Sequence, residues 1–158
     1  RNLRTGGDAR DINGEIVLAK MRAASDFTQA RVYADLSAQT FWIEAWRKTG
    51  SWGIEGGTQP LAQGVTWGYG SVSNPPAGTQ TTLGQAPACR DNGGAAIANT
   101  ACVVFNSRGI PIDSTGAPTA NDAIYITDGN SVYAVTVSAT GLIRTWRTDV
   151  GSANWQRR

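Results

Sequence analysis

Two hydrophobic periods divide the chain. From Asp8 to Arg31, the residues Ile12, Ile16, Ala19, Ala23, Phe27 and Ala30 recur at steps of three and four, which is one face of a helix. Glu15, Arg22, Asp26 and Gln29 fall largely off that stripe. The segment therefore predicts an amphipathic helix whose alanine-rich side suits close approach to a flat partner such as a sheet. Asp8 is the expected N-cap, and with Asp11 it makes an acidic first turn that the helix dipole favours. Asn13 and Gly14 oppose the helix, the glycine by up to ~1 kcal/mol, so the helix is expected to be firm only from Glu15 onward.

After Arg31 the period falls to two. "VYADL" and "TFWIEAWRK" read as strands joined at Ser37-Ala38-Gln39 into a hairpin. In the second strand Phe41, Ile43 and Ala45 share one face, while Trp42, Glu44 and Trp46 share the other. "SWGIEGGTQPLAQG" predicts a loop or short strand, and "VTWGYGSV" a further strand. The stretch from "SNPPAGTQTTLGQAPACRDNGG" to Thr100 has no hydrophobic period and is expected to be loop. "ACVVFNS" and "DAIYIT" predict strands, separated by two turns centred on Gly109 and Gly116. A last hairpin spans residues 131–147, with Tyr133, Val135 and Val137 in the core and a charged outer edge at its end. No repeat of 20–50 residues is present, which excludes a solenoid. One helix followed by seven or eight short strands predicts an α+β domain, the helix laid across an antiparallel, sandwich-like head. Residues 1–31 form the helical part and 32–158 the head of a single folded unit.

Composition narrows the chemistry. Fourteen Lys+Arg against twelve Asp+Glu leave a formal charge of +2, so a basic function must be local rather than general. There is no histidine, which removes Ser-His and Cys-His nucleophilic pairs and most imidazole metal sites. The acids Asp113, Asp122 and Asp128 could in principle serve glycoside hydrolysis, but each adjoins turn residues and is expected to cap backbone instead. Their spacing does not follow a calcium loop, and "GIEGGT" lacks the Lys-Ser/Thr of a phosphate loop. No cofactor or metal is expected.

Cys89 and Cys102 flank a Gly- and Asn-rich loop without a C-x-x-C motif. A disulfide there would add roughly 3 kcal/mol and implies an oxidising compartment; two buried thiols are the alternative. Trp42, Trp46, Trp52, Trp67 and Tyr69 suit stacking on sugar rings, although filling the head or a subunit contact is the simpler use. Arg144, Arg147, Arg157 and Arg158, interleaved with Trp146 and Trp155, are the residue types of a sequence-tolerant nucleic-acid groove. Charges that guard an edge strand are the competing use.

The order of motifs resembles the soluble part of the GspH/FimT family of H-type pseudopilins and minor type IV pilins. The resemblance rests on "AASDFTQARVYADL", "TFWIEAWRK", "PLAQGVTW", "VVFNSRGIPID" and "VYAVTVSATGLIR", which together cover most of residues 8–147. It implies a spine helix feeding a β-rich head, no enzymatic activity, and other pilin-like subunits as partners. Ile16, Ala19, Ala23 and Phe27 would pack that spine. It also implies a leader and an apolar, inner-membrane-anchoring half-helix ahead of residue 1, followed by residence in a periplasmic or extracellular filament. The FimT-like branch is associated with DNA uptake through a Gly-Arg-x-Arg ending. Here the matching positions read Gly141, Leu142, Ile143 and Arg144, so the first arginine is missing; Arg147 lies three residues beyond.

Overall fold

The computed structural model describes residues 2–152 and 154–158; Arg1 and Ala153 lie outside the described residues. A helix, α1 (Asn2–Ser25), is followed by ten strands. These are β1 (Ala30–Asp35), β2 (Thr40–Arg47), β3 (Ser51–Pro60), β4 (Thr66–Trp67), β5 (Thr100–Phe105), β6 (Pro111–Ile112), β7 (Asp122–Thr127), β8 (Ser131–Val137), β9 (Ile143–Asp149) and β10 (Gln156–Arg157). They form two antiparallel sheets of five strands, ordered β3-β2-β1-β5-β6 and β10-β9-β8-β7-β4. The helix touches β1, β2 and β5 of the first sheet and β7, β8 and β9 of the second. It is an α+β fold with one helix seated on two antiparallel sheets.

Ala9, Ile12, Ile16, Ala19 and Ala23 are fully buried, in one core with Val32, Phe41, Val103, Phe105, Ile124, Ile126, Val135 and Val137. Small residues on the helix let its axis come close to both sheets. At Gly6 a Cβ would stand 3.2 Å from the Tyr133 hydroxyl, so even alanine would crowd that ring. The helix begins at Asn2, well before the expected start. Asp8 is no N-cap: it lies inside the helix, buried, and accepts the Ala62 N–H at 2.7 Å. Burial raises its pKa against the opposing pull of that bond. Thr5 donates to Asp128 at 2.7 Å in the same early turns, so tertiary bonds hold the stretch that glycine propensity would loosen.

The helix also ends early. Thr28 N–H bonds the Ala23 carbonyl across Phe27, which takes the left-handed conformation (φ 52°) where glycine is usual. This termination corrects the expected helix end at Arg31 and removes Phe27 from the packing stripe. Its side chain is 88% exposed, whereas Ile16, Ala19 and Ala23 are at 0%. Ala30 and Arg31 already belong to β1.

The hairpin of β1 and β2 has the expected faces: Phe41 and Ile43 reach the core, while Trp42, Glu44 and Trp46 face outward. β3 is a full strand of ten residues, and the expected strand at "VTWGYGSV" shrinks to Thr66–Trp67. The loop that follows covers the outer face of the second sheet. There Tyr125, Ala123, Val132 and Ala134 make a second core closed by Tyr69, Leu83, Trp146 and Trp155. Gln80 and Gln85 bond the Tyr125 hydroxyl and backbone, which gives that patternless segment its fixed course.

Candidate functional site

Three features of the surface carry chemistry. The first is the outward side of α1. Leu3, Val17, Leu18 and Met21 are 88%, 39%, 42% and 60% exposed. At roughly 100° per residue they fall within an arc of about 100°, nearly opposite the buried stripe. The buried stripe is covered by the protein's own head, which leaves these four as the exposed large apolar side chains of α1. Periodicity in the sequence singled out the larger, inner stripe and passed over them.

The second feature is the C-terminal arginines, which the structure does not gather into one groove. Arg144 and Trp146 lie on the outer side of β9, where Trp146 Nε1 donates to Thr136 Oγ1 at 2.9 Å. Arg147 turns to the other side, 6.0 Å from the centre of the Tyr133 ring and paired with Asp149 at 3.1 Å. Arg157 pairs opposite Trp146 and so shares the outer side with Arg144, while Arg158 follows the end of β10. β9 is not the expected sheet edge either, because β10 pairs along it through Gln156–Arg147 and Arg157–Trp146. Gly141 has a structural duty of its own. With φ 91°, a Cβ there would meet the Gly109 carbonyl oxygen at 2.5 Å, and its own carbonyl accepts Lys20 Nζ at 2.9 Å. The two motifs "NSRG" and "SATG" thus meet at a lysine of the helix.

The third feature is the outer face of the first sheet. Arg31, 3% exposed, donates to Glu44 Oε1 from Nε (2.8 Å) and Nη2 (2.6 Å), and from Nη1 to the Arg90 carbonyl (2.8 Å). Its guanidinium lies 3.9 Å from the centre of a Trp52 ring. Desolvation lowers the Arg31 pKa, and Glu44 opposes that shift. Tyr33 stacks on Trp42 at 4.5 Å, Trp46 meets Trp52 edge-on at 5.2 Å, and Trp42 Nε1 donates to Glu44 Oε2. Trp67 faces the other way, edge-on to Phe41, and donates to the Asp35 carbonyl. Cys89 and Cys102 form a disulfide with Cα atoms 5.0 Å apart. The loop they close is clipped onto the sheet by Arg31 and by Asn92, which accepts the Trp52 N–H at 2.9 Å.

Between this loop, the sheet and the segment around Asp113–Thr119 lies a cavity of about 470 Å³. Asp113 and Asp128 behave as turn caps: Asp113 accepts the N–H groups of Thr115 and Ala117, and Asp128 those of Asn130 and Ser131. The Thr115 hydroxyl and amide lower the Asp113 pKa. Asp122 departs from that expectation. It lines the cavity at 6% exposure, and among the described residues no hydrogen bond or ion pair reaches its carboxylate. Burial pushes its pKa up to about 6. Among the described residues there is no cluster of three or more side chains fit to hold a metal ion.

No protein-family model matches the chain, and no curated protein matches it in sequence. Solved structures do match. The chain is similar to the minor pseudopilin EpsH from the type 2 secretion system of Vibrio cholerae, with a TM-score of 0.59 and 12% identity over 90% of this chain and 95% of that one. A second structure of EpsH gives a TM-score of 0.53 and 11% identity over 90% and 92%. A likeness at that identity speaks for architecture: the fold is that of the GspH-type pseudopilins.

Proposed function

We propose that the chain is a pilin-like structural subunit of a type II secretion pseudopilus or a type IV pilus, acting by assembly and without catalysis. The observation that carries this reading is α1, whose inner face is filled by its own head while Leu3, Val17, Leu18 and Met21 stand in water. Val17, Leu18 and Met21 adjoin one another on the outward face, and a contiguous apolar patch on a surface helix marks a contact with another molecule. The pseudopilin fold supports pilin-like subunits as the occupants. Among the described residues no helix is long and apolar enough to cross a membrane. The subunit is held in the inner membrane before assembly and then enters a periplasmic or extracellular filament.

A paired substitution, Leu18→Asp with Met21→Asp, tests the proposal. Both positions are exposed, so the isolated domain should stay folded and lose only about 1–2 kcal/mol, from the lower helix propensity of aspartate and its place near the helix C-terminus. Incorporation of the full-length protein into sedimenting filaments should fall about tenfold or more, since two charges would be desolvated in the helix contact. Unchanged incorporation would refute the helix-face assignment. The alternatives of DNA capture and polysaccharide binding draw no comparable support, because the arginines are divided between faces and Trp42 and Trp67 are committed within the head.

A further inference from the structure

The cavity beneath the disulfide loop is lined by Arg31, Arg90, Asp91, Asp113 and Asp122 among its charged groups. Arg31 is set against Glu44, which leaves three carboxylates and one arginine. Asp91 and Asp113 accept backbone N–H groups of their own loops. Asp122 is different in kind. It starts β7, more than nine-tenths buried, and no donor of the described residues reaches it. Among the described residues every sealed side-chain oxygen or nitrogen has a partner, so the Asp122 oxygens are ones that retain access. That access is to the cavity they line. A buried carboxylate costs free energy unless a positive or donating group meets it. Nothing in the described chain supplies that group.

We propose that this cavity is a binding site for a guanidinium or alkylammonium group, with Asp122 as its counter-charge. Trp46 and Trp52 also lie on the lining, Trp52 with one ring face already covered by the Arg31 guanidinium. A cation would pair the charge of Asp122 where saccharide hydroxyls would only hydrogen-bond it, and a bare divalent ion lacks a cluster of three ligands among the described residues. The space of about 470 Å³ is ample for one arginine or lysine side chain, or for a short polyamine.

Titrating ¹⁵N-labelled protein with agmatine, at low salt and neutral pH, tests the site through the indole N–H signals of Trp46 and Trp52. The expected result is a saturable shift with a Kd near 1 mM or tighter, weakened about tenfold or more in Asp122→Asn. That variant is isosteric, and a thermal melt verifies that it is folded. A parallel titration with the capped tripeptide acetyl-Ala-Arg-Ala-amide separates two sources of the same chemistry. Tighter binding of the peptide assigns the site to a basic side chain of a protein partner, and tighter binding of agmatine assigns it to a free amine. Three outcomes would overturn the proposal: no saturable shift with either probe, equal binding by Asp122→Asn, or saturation by a neutral oligosaccharide in place of the cations.

Discussion

Replacing Glu44 by alanine is expected to destabilise the domain by about 3–5 kcal/mol, measured by urea unfolding. Arg31 is 3% exposed and Glu44 8%, so their pair lies out of water under Trp52 and the disulfide loop. Removing the carboxylate strands a buried guanidinium and also takes the partner of Trp42 Nε1. The attraction within the pair is not the source of the loss, because desolvation offsets most of it. Hence the double replacement Arg31→Met, Glu44→Leu should restore most of the stability, to within about 1–2 kcal/mol of the native protein. A loss below about 1 kcal/mol in the single variant would show that water reaches Arg31. The same pair holds the Arg90 carbonyl, so Glu44→Ala should also speed amide exchange in the loop between the cysteines.

Asp122→Asn should have the opposite sign at neutral pH, stabilising the domain by roughly 2–3 kcal/mol. The folded-state pKa of Asp122 is raised from 3.8 to about 6 because the ionised form is desolvated. A raised folded pKa means that the folded state holds the proton more tightly. The stability contributed by protonation is fully present below pH 3.8 and is lost as pH rises through about 6. The difference between the variant and the native protein should therefore open between those pH values and stay constant above them. Taking that difference cancels the contributions of Asp8 and Glu15, whose pKa values burial also raises. A pH-independent difference would mean that Asp122 is solvated.

Much of this architecture is legible in the residues. The stripe from Ile12 to Ala23 defines the buried face of α1, and the alternation in "TFWIEAWRK" separates core from surface. Helix bounds are less legible. Asn2 to Gly7 becomes helical through contacts distant in sequence, Thr5 with Asp128 and Gly6 against Tyr133. Phe27 stops the helix by adopting a conformation that no propensity assigns to it. Glycine-rich β3 conceals its strand because few of its side chains alternate.

The site was harder to foresee for two physical reasons. Nearness in sequence is not nearness on a face: Arg144 and Arg147 diverge because a step of three crosses a strand. Turn chemistry explains Asp113 and Asp128, but Asp122 looks the same in sequence and differs only by what the folded loops withhold from it. Likewise the outward apolar arc of α1 is interrupted by glycines and Arg10, so it stands out only once the inner stripe has found its partner.

Photo-crosslinking from position 21 in the full-length protein, expressed in its native cells, tests the assembly reading most directly. With a benzophenone side chain in place of Met21, cross-links to another pilin-like subunit are expected, and none from the same probe at buried Ile16. Failure of position 21 to capture any subunit, together with DNA captured from probes at Arg144 or Arg157, would contradict it.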